Sequence, residues 1–228
     1  MKIVTWNCNG GFTEKFEFIR KLDADVYVIQ ECREKDLKDT RWRDFSSDRP
    51  WVGSQTGQMK GVGILVKNGN RIENNGWGQG DSGYYVSCRI NDSFDLLGVW
   101  AKAVDGFYTP YVSKYLTENK YGLNKNYIIA GDFNIDESVE IYSSKLITRE
   151  TIRMLNSIGL YSAYHHYNKE RHGLEKRKTY YRHKKLDKPT SHVDYIFADI
   201  SRIKRVELMD PNIWLRMSDH VPLIVELN

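Results

Sequence analysis

The sequence predicts a mixed α/β fold in which largely antiparallel sheet is covered by a few helices. Apolar runs rich in β-branched and aromatic residues recur along the chain, whereas only a few segments repeat apolar residues at helical spacing. With 40% apolar and 13% aromatic residues, the chain is expected to be folded rather than disordered. No internal repeat, low-complexity tract or linker rich in proline and glycine divides it. We therefore expect residues 1–228 to form a single domain.

The predicted strands are short and cluster in the first half of the chain and again near its end. Runs of β-branched and aromatic residues place them at residues 2–6, 25–30, 61–66, 84–90, 94–100, 127–130, 193–198, 206–209 and 222–227. Asn91, Asp92 and Ser93 separate two of these runs, and such residues are typical of a tight turn. A hairpin is therefore predicted there.

Three helices are predicted outside the sheet. In residues 12–22 the apolar positions Phe12, Phe16, Ile19 and Leu22 fall on one helical face. In residues 148–158, one face carries Ile152, Leu155 and Ile158. A third helix is expected within residues 111–121. The combination of sheet and outer helices indicates a layered α/β architecture.

Composition also bears on the compartment in which the protein is expected to work. The three cysteines Cys8, Cys32 and Cys88 cannot all pair, and without a CxxC spacing they indicate neither a disulfide framework nor a zinc site. The first residues lack the apolar core of a signal peptide, and no apolar run reaches membrane-spanning length. A reducing, cytoplasmic setting without membrane contact is expected, with no obligate protein partner evident.

Positive charge is concentrated in one segment. The net charge is only +4, yet residues 169–188 carry nine basic residues against three acidic ones. Tyr180 and His183 lie among these charges. Clustered lysine and arginine neutralise phosphates and interleaved aromatic rings stack on bases, so the segment suits a nucleic-acid strand. Solvated loops also show such charge runs, and this alternative stays open.

Polar side chains follow several of the apolar runs. Asn7 and Glu31 come directly after the first two, and Gly131-Asp132-Phe133-Asn134 follows the run at 127–130. The alternation of a strand predicts that Asp132 and Asn134 share a face. Each of these residues could instead end a strand as a surface cap or turn. Together they offer the oxygen ligands that Mg²⁺ takes and a carboxylate able to accept a proton.

A second pairing is predicted between Asp194 and His220. Asp194 interrupts the apolar run at 193–198, where a buried aspartate is rare unless it is paired. His220 follows Ser218-Asp219 at the start of the last apolar run and is the obvious partner. An aspartate that holds an imidazole in its protonated form leaves the other ring nitrogen able to donate to a phosphate oxygen.

These motifs give the chain a family resemblance. From residue 3 to residue 226 it resembles the endonuclease/exonuclease/phosphatase superfamily, which includes DNase I, exonuclease III and the abasic-site endonucleases. The matching motifs, in the family order, are Trp6-Asn7, Gln30-Glu31, Gly61-Val62-Gly63-Ile64, Gly131-Asp132-Phe133-Asn134, Val193-Asp194-Tyr195 and Ser218-Asp219-His220. The resemblance implies a four-layer α/β-sandwich, with two mainly antiparallel sheets face to face and helices outside. It also implies cleavage of a phosphate ester that depends on a divalent metal, Mg²⁺ or Mn²⁺.

The resemblance assigns roles residue by residue. It makes Glu31 the principal metal ligand, with Asn7 and Asp219 near the metal. It makes Asp132 the base or the carboxylate that orients water, and Asn134 the residue that holds the phosphate. In the same pattern, His220 paired with Asp194 stabilises charge on the phosphoryl oxygens.

One position departs from the family pattern. Where relatives carry a tyrosine or histidine that contacts the phosphate, this chain has Trp100, whose indole offers one N–H and no acid-base function. Either Trp100 donates that single bond, or Lys102, Tyr108 or Tyr111 takes over, and core packing of Trp100 is an equal alternative. From the basic segment, the expected substrate contacts are Lys178, Tyr180 and Arg182.

The sequence thus predicts a metal-dependent phosphodiesterase that hydrolyses DNA or RNA as an endo- or exonuclease. Missing motifs disfavour inositol phosphatases, secreted nucleases and dedicated abasic-site repair enzymes. The alternatives are a phosphomonoesterase or a tyrosyl-DNA-phosphodiesterase-like enzyme on the same scaffold. A catalytically silent binding module is disfavoured because the acidic and histidine positions are filled.

Overall fold

The computed structural model describes residues 1–75, 79–80, 83–102, 109–138 and 142–228. In chain order the strands are β1 (Lys2–Asn7), β2 (Val26–Arg33), β3 (Trp51–Gly53), β4 (Lys60–Val66), β5 (Ile72–Asn74), β6 (Gln79–Gly80), β7 (Gly83–Ile90), β8 (Phe94–Ala101), β9 (Tyr127–Asp132), β10 (Tyr161–Ser162), β11 (Tyr180–Tyr181), β12 (Pro189–Ser191), β13 (Asp194–Ala198), β14 (Ile203–Leu208) and β15 (Leu223–Leu227). The α-helices are α1 (Phe16–Ile19), α2 (Glu34–Leu37), α3 (Thr109–Glu118), α4 (Tyr142–Ser157), α5 (Ala163–Asn168) and α6 (Pro211–Trp214).

The strands form two large sheets and a small ribbon. The first sheet has the order β14-β15-β1-β2-β4-β3, and the second has the order β10-β13-β9-β8-β7-β5 with β6 pairing to β7. Strands β11 and β12 form the separate ribbon. Only the pairs β1–β2 and β8–β9 run parallel among the paired strands described. The mainly antiparallel sheets predicted from the sequence are therefore confirmed.

Two apolar cores hold the layers together. Between the sheets, Val28 of β2 and Val86 of β7 are buried within the larger core. A smaller core lies on the outer face of the second sheet, where Phe133 and Tyr195 pack with Leu116 of α3 and Leu155 of α4. Burying one such side chain stabilises the fold by about 1.5–3 kcal/mol. With helical segments also covering the first sheet, the molecule is a four-layer α/β-sandwich, as expected.

The helix predicted at residues 12–22 is correct in its buried face and wrong in its regularity. Thr13–Lys15 and Arg20–Leu22 are 3₁₀ turns on either side of α1, and Asp23 ends the segment in the left-handed region at φ 45°. The rings of Phe12 and Phe16 both contact Trp42, one stacked at 5.2 Å and one edge-on at 4.5 Å. The break in the helix is therefore accompanied by packing of both phenylalanine rings against Trp42.

Other boundaries differ modestly from prediction. The helix predicted at 148–158 is α4, which begins earlier, at Tyr142. The prediction missed its first turns because they carry no regular apolar stripe. The hairpin between β7 and β8 is confirmed, and its turn residues Asn91 and Asp92 have φ of 53° and 54°, as a type I′ turn requires. Across the described ranges, no helix is both long and apolar enough to cross a membrane.

Candidate active site

A cleft of about 420 Å³ opens where strand ends from both large sheets meet. It brings together nine of the residues that the sequence predicted for the site, along with Ala101. The predicted residues that line it are Asn7, Glu31, Trp100, Lys102, Asp132, Asn134, Tyr180, Asp219 and His220. Asp194 lies directly behind this lining and is fully buried.

The second sheet places two carboxylates side by side. Asp132 ends β9 and pairs in register with Asp194, the first residue of antiparallel β13. Gly131 permits this arrangement because a Cβ at that position would lie 1.9 Å from the carbonyl oxygen of Val99 on β8. The glycine of the Gly-Asp-Phe-Asn motif thus lets β8 and β9 approach closely beside the site.

Asn7 links the two sheets through its amide group. Its Nδ2 donates to Oε1 of Glu31 at 3.1 Å and to Oδ2 of Asp132 at 3.0 Å. Its Oδ1 accepts a hydrogen bond from the backbone N–H of Asn9 at 2.9 Å. Because both N–H bonds are used, only the remaining lone pair of Oδ1 could face a cation.

Asn134 supports Asp132. Its φ of 51° turns the chain back, so that its backbone N–H donates to Oδ1 of Asp132 at 3.0 Å. Its Nδ2 donates to Oδ2 of Asp132 at 3.1 Å and to the carbonyl oxygen of Ala101 at 2.9 Å. Asp132 and Asn134 therefore do meet, but both amide N–H bonds of Asn134 are already engaged.

The predicted partnership of Asp194 and His220 is present as a buried hydrogen bond. Nδ1 of His220 donates to Oδ2 of Asp194 at 2.8 Å. Oδ1 of Asp194 is buried and accepts no hydrogen bond from the described residues, so the imidazole is the chief counterpart of its charge. The backbone carbonyl of His220 accepts from Nε1 of Trp6 at 3.0 Å, which fixes the histidine against the core.

The ionisation of this pair is strongly perturbed. Burial alone would lower the pKa of His220, but attraction to the Asp194 carboxylate outweighs it and raises the pKa from 6.5 to about 10. Burial raises the pKa of Asp132 from 3.8 to about 7, while the neighbouring His220 cation opposes the rise. The site thus holds a cationic imidazole next to closely spaced carboxyl groups.

The sequence predicted that Glu31 follows the end of its strand. In the structure it lies inside β2. The register of β2 against β4 shifts between Gln30 and Cys32, and Glu31 at φ 59° is the extra residue of this bulge. The left-handed conformation, which costs a residue with a side chain roughly 1–3 kcal/mol, aims the carboxylate into the cleft. Its Oε2 accepts from Nζ of Lys60 at 2.7 Å.

Glu31, Asp219 and the free lone pair of Asn7 supply oxygen donors to one cleft. Glu31 is partly exposed, and its carboxylate already attracts the Lys60 ammonium. Oxygen donors with room for water are what Mg²⁺ and Mn²⁺ require. The donor set therefore fits a hard divalent cation.

Asp132, Asp194 and His220 also bring ligand atoms within 4.8 Å of one another. All three side chains are buried, and the imidazole proton already occupies the space between His220 and Asp194. This trio fits a cation with its own water shell less well than the oxygen donors around Glu31 do. The arrangement is better suited to holding protons than a metal.

The predicted substrate contacts divide into three groups. Trp100 and Lys102 line the cleft, with Nζ of Lys102 lying 5.5 Å from the Trp100 ring, and Tyr180 lies 4.9 Å from the His220 ring. Lys178 lies outside the cleft lining, because its Nζ donates to Glu175 at 2.9 Å, and Arg182 is exposed beyond the ribbon. Tyr108 falls outside the described residues. These contacts remain predictions.

Two residues of the site were not predicted from the sequence. Lys60, the first residue of β4, lies opposite Arg33, next to the bulge, and its ammonium group forms an ion pair with Glu31. Oγ1 of Thr179 accepts from the backbone N–H groups of Val193 and Asp194 at 3.0 and 3.1 Å. A lone threonine in a basic segment gives no sequence signal for such a role.

The chain is similar in sequence to a known family. The profile described as the endonuclease/exonuclease/phosphatase family matches residues 4–220, which includes every motif that carried the resemblance. No curated protein is close enough in sequence to count as a relative.

Solved structures share the fold at low sequence identity. A 3′ phosphatase from Neisseria, described as bound to a product DNA hairpin, is 16% identical with a TM-score of 0.70, covering 100% of this chain and 99% of that one. An AP endonuclease from Archaeoglobus fulgidus is 17% identical with a TM-score of 0.73, covering 100% and 99%. An AP endonuclease from Leishmania major is 16% identical with a TM-score of 0.70, covering 98% and 86%. At such identities the likeness shows the fold alone.

Proposed function

The chain belongs to the endonuclease/exonuclease/phosphatase family and is a phosphoric ester hydrolase, and from that premise we propose that it is a divalent-metal-dependent phosphodiesterase that cleaves nucleic acid. The observation that carries the proposal is the buried Asp194–His220 hydrogen bond of 2.8 Å beside the Asp132 carboxylate, at the wall of one cleft. A cationic donor beside a carboxylate is the arrangement that in-line attack on a phosphate needs.

Asp132 is the proposed acceptor of the proton from the attacking water. Hydrogen bonds from Asn7 and Asn134 fix its carboxylate, so little reorientation is needed when the proton arrives. Asn134 acts in this scheme as a positioning residue, because its N–H bonds are spent on Asp132 and Ala101 and none is left for a phosphate. This revises the role that the family resemblance implied for it.

His220 is the proposed donor to the phosphoryl group. Its Nδ1 is held by Asp194, which leaves Nε2 as the ring nitrogen able to face a phosphate oxygen in the cleft. Such a contact strengthens as negative charge moves onto the phosphoryl oxygens in the transition state. Asp194 contributes by fixing the ring and its charge.

Glu31 and Asp219, with Asn7 nearby, are the residues proposed to hold Mg²⁺ or Mn²⁺. When bound, such an ion polarises the phosphate and stabilises the leaving oxygen. Lys60 already binds Oε2 of Glu31 and Asn7 donates to Oε1, so the remaining lone pair of Oε1 is the one that would be offered to the ion. The bulge in β2 serves to present that carboxylate.

Nucleic acid is the proposed substrate because of what surrounds the phosphate position. Trp100, which is only 8% exposed, and Tyr180 line the cleft with aromatic rings, and Lys102 adds a cation beside Trp100. The Neisseria structure described as bound to DNA and the two AP endonucleases share this fold, which supports the same substrate class. The cysteines Cys8, Cys32 and Cys88 are free and buried, in keeping with the cytoplasmic setting that we propose.

The test is to assay single-stranded DNA, duplex DNA, RNA and a small phosphate ester side by side, with Mg²⁺, Mn²⁺ or EDTA. Strand scission of at least one nucleic acid is expected with the metals and none with EDTA. Glu31→Gln should raise the metal concentration needed for half-maximal rate. Glu34→Gln makes the same change at an exposed position of α2 and should leave that concentration unchanged. Full activity in EDTA, or turnover of the small ester alone, would overturn the proposal.

The second candidate is a phosphomonoesterase that removes a terminal phosphate. The Neisseria neighbour, described as a 3′ phosphatase, favours this alternative. Release of inorganic phosphate from a 3′-phosphorylated oligonucleotide, without shortening of the strand, would select it.

A further inference from the structure

We propose that the protein also holds a structural Zn²⁺ ion, bound by His165, His172 and Glu175 at a cluster that shares no residue with the active-site cleft. The three side chains bring ligand atoms within 4.8 Å of one another. His165 lies on α5, and the other two lie in the loop that leads from α5 to the ribbon strand β11. This inference does not depend on the proposed nuclease activity.

His165 and Glu175 are arranged like a ligand pair with a proton in place of the ion. Nε2 of His165 lies 2.9 Å from Oε1 of Glu175, and Nδ1 lies 2.7 Å from Oγ of Ser162. Metal-bound histidines regularly donate their second N–H to an outer partner, which fixes the ring and its tautomer. Ser162 is such a partner for His165, and Lys178 holds the other oxygen of Glu175 at 2.9 Å.

One imidazole of the cluster and one beside it carry unsatisfied nitrogen atoms. Nδ1 of His172 and Nε2 of His192 are buried and have no hydrogen-bond partner among the described residues. His192 is fully buried, with its ring 5.2 Å from that of His165. A buried polar atom without a partner destabilises the fold by about 1–3 kcal/mol. An ion bound at the cluster would satisfy the lone pair of His172, and a water molecule would complete its coordination.

One pair of ligand atoms already has the spacing of a zinc site, and a rotation of the His172 ring is needed to bring in the third. Bonds of about 2.0–2.1 Å in a tetrahedron place ligand atoms roughly 3.3 Å apart, and the His165–Glu175 pair is already at 2.9 Å. The His172 ring, stacked on His165 at 3.6 Å, must turn to aim its lone pair at the shared point. Binding would require the proton that lies between Nε2 of His165 and Glu175 to move to Nδ1, which then donates to the Ser162 hydroxyl and leaves the Nε2 lone pair for the ion.

The surroundings favour zinc over magnesium. Imidazole nitrogen is a poor ligand for Mg²⁺ and a good one for Zn²⁺. His172 also lines a cavity of about 470 Å³ whose other walls include Arg149, Arg153 and Arg171. This mouth repels a loosely held cation, so the ion must be retained by its nitrogen ligands. Once bound, it would fasten the loop that ends at Thr179, whose hydroxyl holds the backbone of Asp194.

The proposal is tested with Zn²⁺ alone on the whole protein, stripped with a chelator and kept in excess Mg²⁺. One Zn²⁺ per chain should bind in a calorimetric titration and raise the midpoint of thermal unfolding. His172→Gln should weaken binding by more than about 100-fold, the upper end of the loss from removing an outer partner. His166→Gln, an exposed histidine on the same helix, and Glu31→Gln should bind zinc as the wild type does.

Co²⁺ provides a readout that needs no variant. Substitution of Co²⁺ should give the intense visible absorption of a four-coordinate site rather than the weak bands of an octahedral one. A folded wild-type protein that binds no Zn²⁺, a His172→Gln variant with undiminished affinity, or a purely octahedral Co²⁺ spectrum would each overturn the assignment.

Discussion

Asn7 commits both N–H bonds of its side chain to carboxylates on two different sheets. It donates to Glu31 on β2 and to Asp132 on β9, so one amide sets the distance between the metal-binding side and the proton-accepting side of the cleft. An aspartate here would replace two donors by acceptors and bring three carboxylates together. This position therefore needs a side chain that donates two hydrogen bonds. The sequence analysis considered Asn7 only as a residue near the metal and did not predict this role.

The first prediction at the residue scale concerns Asp132. Asp132→Asn removes the proton acceptor but keeps the shape of the side chain, so kcat should fall by roughly 10²–10⁴ with little change in substrate binding. Rates at saturating substrate and direct binding measurements test this. Asp199→Asn makes the same chemical change at the N-cap of a 3₁₀ turn outside the cleft and should leave kcat unchanged. A folded Asp132→Asn enzyme within a few-fold of wild type would remove Asp132 from its proposed role.

The second concerns the Asp194–His220 pair. Replacing either residue by asparagine leaves a buried polar partner without its counterpart, and kcat should fall steeply for both. Because the two residues act as one unit, the double variant should be little worse than the poorer single variant. The measurement is a double-mutant cycle on kcat/KM. Fully additive losses would show that the two side chains act independently.

At the scale of single elements, the apolar runs that form strands could be recognised in the sequence, and the bulge in β2 could not. Val26 to Gln30 form an apolar run that predicts a buried strand, and β2 is that strand. Nothing in the run indicates that Glu31 adopts φ 59°, because the bulge is set by how β4 aligns beside β2. Likewise, the apolar face of residues 12–22 follows from spacing, while its broken helix follows from contacts with the distant Trp42.

The first prediction at this scale tests the support that Thr179 gives to the start of β13. Thr179→Val leaves two buried N–H groups without a partner, which should reduce the free energy of unfolding by about 1–3 kcal/mol for each. Since Asp194 then loses its fixed position, kcat should fall by on the order of 10-fold or more. Thr179→Ser keeps the hydroxyl and is the matched control. Equal kcat in all three proteins would show that β13 is held without it.

A second prediction at this scale concerns pH and the short helix α2. Asp36 is buried and accepts from Arg33 and from Thr13; burial opposes its ionisation, but these hydrogen bonds win and lower its pKa. A lowered pKa in the folded state means that the stabilisation is present above the unfolded value of about 3.9 and is lost as pH falls through the folded one.

Asp36→Asn should therefore reduce the free energy of unfolding by about 1.5–3 kcal/mol at pH 7, and by less near pH 3. Urea unfolding at the two pH values measures the difference. A penalty that does not shrink in acid would mean that the charge of Asp36 contributes nothing.

On the scale of the whole molecule, the site depends on how the two sheets face each other. Gly98 of β8 belongs to the second sheet and faces the first, and a Cβ there would be 3.0 Å from Val28 of β2 and 3.0 Å from Val86, its neighbour on β7. The family resemblance anticipated the two-sheet sandwich, and composition alone could not have done so. No local pattern reveals which strand neighbours which, because pairings such as β1 with β15 join opposite ends of the chain.

The prediction at this scale is that Gly98→Ala, a substitution in the core between the sheets, lowers the catalytic rate. The added methyl group must push the sheets apart by a few tenths of an ångström, and overpacking of this kind costs about 1–3 kcal/mol of stability. Because misplacement of catalytic groups by about 1 Å can cost 10²-fold in rate, kcat/KM should fall well beyond the loss of folded protein. Leu155→Ala, in the outer core, should lose about 2–5 kcal/mol yet keep its rate per folded molecule.

The position of β15 in the first sheet has a consequence for biosynthesis. This strand inserts between β14 and β1, and Asp219 and His220 lie just before it, whereas Asn7 ends β1, which is synthesised long before them. Folding during translation begins with the N-terminal part, so β1 waits with one edge unpaired until β15 arrives. On the proposed assignment, a nascent chain that has not yet exposed residue 220 has no imidazole with which to contact a phosphate. On the proposed function, the site can be completed only after residue 220 has left the ribosome, so a partly synthesised chain would not cleave the RNA around it.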